Sequence, residues 1–169
     1  TVTFLPDDTI FTDLVYKYET VATRLRELAF LNAGIKIHLE DEREQDDENK
    51  NIGETFLSEG GLQEFVQYLD QTRVQLLPEP IFMSSDKGDI PVDVALTYNT
   101  SYSENVFSYV NNINTYEGGT HVSGFRRALT RTLKNYAEKN DLLKKVKVDI
   151  SGDDFREGLT AVVSIKVQE

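Results

Sequence analysis

Four cations at helical spacing are the residues of this 169-residue chain best placed to meet a ligand: Arg126, Arg127, Arg131 and Lys134. Guanidinium and ammonium groups carry donors and no acceptor, so they suit binding of carboxylate or phosphate oxygens better than proton transfer. Stepping about 100° per residue along a helix, Val122, Phe125, Leu129, Thr132, Leu133 and Tyr136 form an apolar stripe, and Arg127, Arg131 and Lys134 fall opposite it. Arg126 lies about 60° from the centre of the stripe, at a rim where a long stem packs and its head turns sideways. Like charges at i, i+4 and i+7 cost roughly a few tenths of a kcal/mol each. That permits a phosphate-binding face without requiring one, and a merely solvated helix remains the alternative.

The other candidate groups are sparse. Of the two histidines, His38 falls in an alternating stretch and reads as structural. His121 follows Gly118-Gly119-Thr120 at a helix start, where backbone N–H groups can hold an anion. The reading preferred there is a cap at Thr120 with His121 satisfied locally. Asp153, Asp154, Arg156 and Glu157 form a dense cluster that is either a catalytic constellation or, preferably, a turn whose charges pair to fix geometry. The acidic run at 40–59 suggests calcium, but the spacing fails. Counting from Asp46 puts Lys50 at the fifth position of an EF-hand loop, and counting from Asp47 puts Ile52 where Gly belongs. No phosphate-loop, dinucleotide, serine-hydrolase or zinc-protease motif occurs, so the chain offers no catalytic, cofactor-binding or metal-binding residue.

Charge gives the cationic row its meaning. The chain holds 18 Lys and Arg against 29 Asp and Glu, a net −11, which as a single number argues against a nucleic-acid partner. Resolved along the chain it is −14 over 1–119, of which −7 sits in 40–59, then +6 over 120–147 and −3 over 148–169. Such asymmetry points to one anionic partner meeting one face. With no cysteine, thiolate metal sites, thiol catalysis and disulfides are excluded. No apolar run approaches the roughly 20 residues of a membrane span, and no signal-peptide pattern opens the chain, so no membrane is expected.

The elements that must position these groups follow from periodicity. Residues 1–5 alternate and read as a short strand stopped by Pro6. Leu14, Tyr18, Val21, Leu25 and Leu28 recur at helical spacing within 11–32, and Gly34 ends that helix. A strand at 35–39 runs into the acidic stretch, read as an exposed loop or hairpin. A second helix carries Leu62, Phe65, Val66 and Leu69. Strands are expected at 81–85 and 92–99, around Val106, Ser108 and Val110, around Val146, Val148 and Ile150, and at 159–167, with the basic helix at 120–139. Length favours one compact domain, and the pattern is α+β, with helices packed on one sheet.

Several segments taken together resemble the transducer domain of bacterial type IIA topoisomerase ATPase subunits, gyrase B types above all. They are 24–32, Asn111-Asn112-Ile113, Glu117-Gly118-Gly119-Thr120-His121 with Gly124-Phe125-Arg126, Thr130-Arg131-Thr132-Leu133, and 152–159 through 164–167. The resemblance implies a ribosomal protein S5 domain 2-like fold with a left-handed βαβ crossover. Residues 1–10 would be the end of a preceding GHKL ATPase domain and 11–169 the transducer. It implies double-stranded DNA as partner, the GHKL domain in cis, and the gyrase A subunit in an A2B2 heterotetramer in a cytoplasmic parent enzyme. Arg126 would line the DNA cavity; Arg127, Arg131 and Lys134 are added from the helical projection. ATP and Mg2+ would belong to the parent, since the Gln-Thr-Lys loop that reaches the nucleotide would follow Glu169. This chain alone is therefore expected to need no cofactor and to be inactive. The chain has no initiator Met and reads as starting partway into a larger protein. A topoisomerase IV subunit, or a non-enzymatic acidic interaction module, is the alternative. A phosphotransferase on the same fold would need a Gly-rich phosphate loop that the sequence lacks.

Overall fold

The computed structural model describes residues 1–45, 51–86, 88, 90–144 and 150–168. Helix α1, Tyr18–Leu31, is followed by strands β1, Ile37–Gln45, and β2, Asn51–Phe56, and by helix α2, Leu62–Leu69. Strands β3 (Ile81–Ser85), β4 (Val92–Tyr98), β5 (Asn105–Val110) and β6 (Ile113–Asn114) come next. Helix α3 (Thr120–Lys139), a 3-10 turn at Asp154–Arg156 and strand β7 (Leu159–Ile165) complete the order, and the class is α+β as expected.

Five strands form the central sheet in the order β3-β4-β7-β5-β6. β5 and β7 run parallel and the other neighbours antiparallel. Parallel neighbours cannot be joined by a tight turn, and the chain from β5 to β7 passes through α3. The central strand β7 reads Leu-Thr-Ala-Val-Val-Ser-Ile and is buried along six of its seven residues, as a strand covered on both faces must be. Val94, Leu96, Leu159, Ala161 and Val163 supply one face, against Phe125 and Leu129 of α3. Ala95, Tyr109 and Val162 supply the other, against Phe65 and Val66 of α2.

On either side of residues 46–50, which lie outside the described residues, the acidic stretch forms two paired strands. β1 pairs antiparallel with β2 from Ile37↔Phe56 to Asp41↔Ile52, with an irregularity between Asp41 and Gln45. Ile37 and Leu39 share a face by period two and pack with Phe56 on Ala22 and Ala29 of α1. α1 joins α2 through Phe30, whose ring stacks on Phe65 at 5.0 Å. The hairpin is thus carried on the α2 side of the sheet, and α3 lies on the other side.

Three expectations are corrected. Residues 1–5 form no strand; Val2 and Leu5 are about nine-tenths exposed, and a strand without a ladder partner leaves its backbone groups to water. The first helix starts at Tyr18, because Lys17 is extended and Asp13 turns back on the Val15 N–H at 3.0 Å, leaving Leu14 outside. The strand expected at 35–39 starts at Ile37 and continues to Gln45. The strand expected around Val146 and Val148 lies outside the described residues, and Ile150 is not in a strand.

Candidate nucleic-acid interface

Helix α3 spans the range expected from its periodicity, but it is rotated about its axis relative to the projected stripe. Val122 is buried, Phe125 and Leu129 pack on the sheet, and Ala137 rather than Tyr136 closes the buried face. Thr132 and Tyr136 are exposed, whereas Arg126 and Thr130 are half-buried. Polar ties on one flank account for the turn. Thr130 accepts from Arg156 Nη1 at 2.9 Å, and Arg126 Nε donates to Glu104 Oε1 at 2.6 Å.

A groove of about 510 Å³ runs along that flank, lined by Arg126, Arg127, Thr130, Arg131, Lys134 and Arg156 among others. All four cations singled out in the sequence therefore converge on one surface, and Arg156 joins them from the turn before β7. Among the described residues, Arg127, Arg131 and Lys134 form no ion pair and are exposed. A larger cavity of about 720 Å³ lies between residues 4 and 21, but its walls are mostly apolar. Its Asp7 and Asp13 serve local turns, on Thr9 and Val15.

The cluster at 153–157 acts as a structural turn. Asp154 Oδ2 accepts from the Ser151 N–H at 2.6 Å, and Tyr98 Oη donates to the Phe155 carbonyl at 2.7 Å. Burial raises the Tyr98 phenol above its ordinary value, so it stays a donor. Arg156 donates from Nη1 to the Gly152 carbonyl at 2.8 Å, from Nη2 to Asp153, and from Nε to Glu104 Oε2 at 3.3 Å. Its side chain is 15% exposed, against 42% for Arg126. Gly158 holds the exit of this turn at φ +73, where a Cβ would come within 2.3 Å of the Asn99 carbonyl oxygen. The adjoining interior is polar: Asp70 is fully buried and its Oδ1 accepts from Asn99 Nδ2 and Thr160 Oγ1, both at 2.9 Å.

Sequence reasoning missed Glu104. It precedes an alternating strand without any motif, and its partners lie 22 and 52 residues away. The histidines are engaged locally. His121 Nε2 sits 3.2 Å from Thr115 Oγ1, with Gly119 and not Thr120 at the cap position. His38 Nδ1 sits 2.9 Å from Thr55 Oγ1. Among the described residues no three His or carboxylate groups cluster for a metal, and no helix is long and apolar enough to cross a membrane.

A basic groove beside a sheet is a chemistry that several families share, and comparison with known proteins narrows it. The family model for DNA gyrase B matches residues 61–169. The chain belongs to the DNA gyrase B family. It is 70% identical over 168 residues to the DNA gyrase B protein of Cytophaga aurantiaca, covering 99% of this chain and 35% of that protein. It is 52% identical over 167 residues to that of Clostridium acetobutylicum, covering 98% of this chain and 25% of that one. Gyrase B likeness extends to solved structures. The 43K ATPase domain of Thermus thermophilus gyrase B, in complex with an aminocoumarin, superposes with a TM-score of 0.80 at 35% identity, over 97% of this chain and 43% of that one. The topoisomerase IV ATP-binding domain of Francisella tularensis reaches 0.73 at 28% identity, over 97% of this chain and 42% of that one. The chain thus spans about a third of the length of the first gyrase B relatives it matches.

Proposed function

We propose that this chain is the transducer domain of a gyrase B-type protein. In this reading it relays ATP-driven closure of a protein clamp to DNA strand passage and lines the cavity that holds the duplex. Residues 1–10 are the tail of the GHKL ATPase domain, 11–169 form the transducer, and the parent enzyme assembles with gyrase A as A2B2. ATP and Mg2+ act in the parent's ATPase domain, and double-stranded DNA meets Arg126, Arg127, Arg131 and Lys134. The supporting observation is the groove of α3, where exposed cations without ion pairs among the described residues line one surface of a chain whose net charge is −11. Phosphate contacts of this kind are independent of base sequence, as passage of any duplex requires.

Mechanically, α3 is packed on the same sheet that carries α2 on its other face, and β7 is buried between them. A close-packed layer moves as a body rather than deforming, which suits a domain that transmits a displacement. The test uses the full-length protein. Arg126→Gln is expected to lower the ratio of DNA-stimulated to DNA-free ATPase turnover several-fold. Equal loss in both rates would assign Arg126 to folding instead. Calorimetry of this chain with Mg-ATP is expected to show no binding, and a clear isotherm would overturn the proposed boundary.

A further inference from the structure

Glu104 lies where a charge census of the groove would not place a carboxylate. It stands at the edge of a cationic surface with both oxygens engaged, Oε1 by Arg126 at 2.6 Å and Oε2 by Arg156 at 3.3 Å. Its two arginines are held unequally. Arg156 is largely buried and has three further acceptors: Thr130 Oγ1, the Gly152 carbonyl and Asp153. Arg126 is nearly half exposed, and Glu104 is its acceptor.

We propose that Glu104 is an internal stand-in for a duplex phosphate. It holds the Arg126 guanidinium at the groove while no duplex is present and yields it to a backbone phosphate when one arrives. The inference rests on the reading of the groove as a DNA-facing surface. A carboxylate oxygen and a phosphate oxygen are the same kind of anionic acceptor for a guanidinium N–H, so Arg126, which meets Glu104 through Oε1 alone, exchanges one anionic oxygen for another. The exchange is cheap for a second reason. Removing one partner of a buried ion pair ordinarily strands the other charge, but Glu104, with a side chain 25% exposed, keeps Arg156 on its other oxygen. Glu104 thereby makes Arg126 a conditional contact and leaves Arg127, Arg131 and Lys134 as unconditional ones.

The experiment measures binding of the full-length protein to a short duplex by fluorescence anisotropy across a salt series. Glu104→Gln keeps the shape and one acceptor oxygen and removes the charge that competes with phosphate. Expected is a several-fold tighter Kd with the slope of log K against log salt unchanged, because the same number of phosphates is neutralised in both bound states. Arg126→Gln is expected to flatten that slope by about 0.9. Glu104→Gln placed on Arg126→Gln is expected to change nothing further, since the gain works through Arg126. A Glu104→Gln variant that binds with unchanged or weaker affinity overturns the inference. So does a gain that persists in the Arg126→Gln background, which would make Glu104 a diffuse charge and not a partner. Misfolding cannot imitate the expected result, because it does not tighten binding. The triple variant Arg127→Gln, Arg131→Gln, Lys134→Gln separates the two levels. If it leaves affinity and slope unchanged, the DNA-facing groove itself is wrong; if it weakens binding while Glu104→Gln does nothing, the stand-in role alone fails.

Discussion

The β1–β2 hairpin and helix α3 carry charge of opposite sign on opposite sides of the central sheet, and they treat that charge differently. In the hairpin, Asp41 is engaged by Arg43 Nε at 2.8 Å, Glu40 accepts from Asn51 Nδ2 at 2.8 Å, and Glu54 takes Arg26 of α1 on both oxygens, at 2.9 and 3.0 Å. On α3, Arg126 has Glu104, but Arg127, Arg131 and Lys134 have no ion pair among the described residues. Glu54 fixes the hairpin onto a helix, while Glu42 is exposed and has no ion pair among the described residues. Cations left open on a packed helix are available to something outside it, so what a charged stretch can do follows from which of its groups are paired and not from charge count alone.

That contrast can be broken at its supports. The largest expected effect is at Gly158, which holds the turn carrying Arg156 against α3. Gly158→Ala meets both a left-handed backbone and a carbonyl oxygen 2.3 Å from the new Cβ. A loss of about 3 kcal/mol in unfolding free energy by denaturant titration is expected. A loss under about 0.5 kcal/mol would mean the turn shifts freely and does not fix Arg156. Next is Arg26, which pairs with Glu54 and lies over the Phe56 and Tyr68 rings at 5.2 and 5.6 Å. Arg26→Ala is expected to cost about 1–2 kcal/mol, part of it lost packing, while leaving the salt dependence of duplex binding as it was. A changed salt slope would put the hairpin side in contact with DNA and erase the contrast.

The smallest effect is at Asp41. Hydrogen bonds from Arg43 lower its carboxyl from the ordinary 3.8 to about 2. A depressed folded-state value means that its contribution to stability is present above pH 3.8 and is lost as pH falls toward 2. Carboxyl NMR of Asp41 is expected to show a midpoint near 2, and Arg43→Gln is expected to return it toward 3.8. An unmoved midpoint in that variant would remove Arg43 as the cause.

The two regions also differ in how far the sequence disclosed them. The limits of α3 and the placing of Arg126, Arg127, Arg131 and Lys134 on it were legible because a 3.6-residue period over 20 residues is a strong signal. The hairpin was legible only as one of two readings beside an exposed loop, since a run of acids has little β propensity and the extent of its strands follows from their pairing with each other and packing on α1. Residues 1–5 show the reverse error, a β-branched alternation with nothing to pair against. The tie between α3 and the turn before β7 was hidden for a topological reason: Glu104 and Arg156 meet Arg126 and Thr130 of α3 because β5 and β7 run side by side with α3 packed on the sheet, and no local pattern encodes that meeting. The projected stripe placed Tyr136 inside for the same reason, as the ties of Arg126 and Thr130 to those residues turn the helix.

Whether the open cations of α3 meet duplex phosphate is decided by the salt dependence of duplex binding by the full-length protein. With Arg127, Arg131 and Lys134 all changed to Gln, binding is expected to weaken and the slope of log K against log salt to become shallower by about 2.7, three contacts at roughly 0.9 each. An unchanged slope would contradict those contacts.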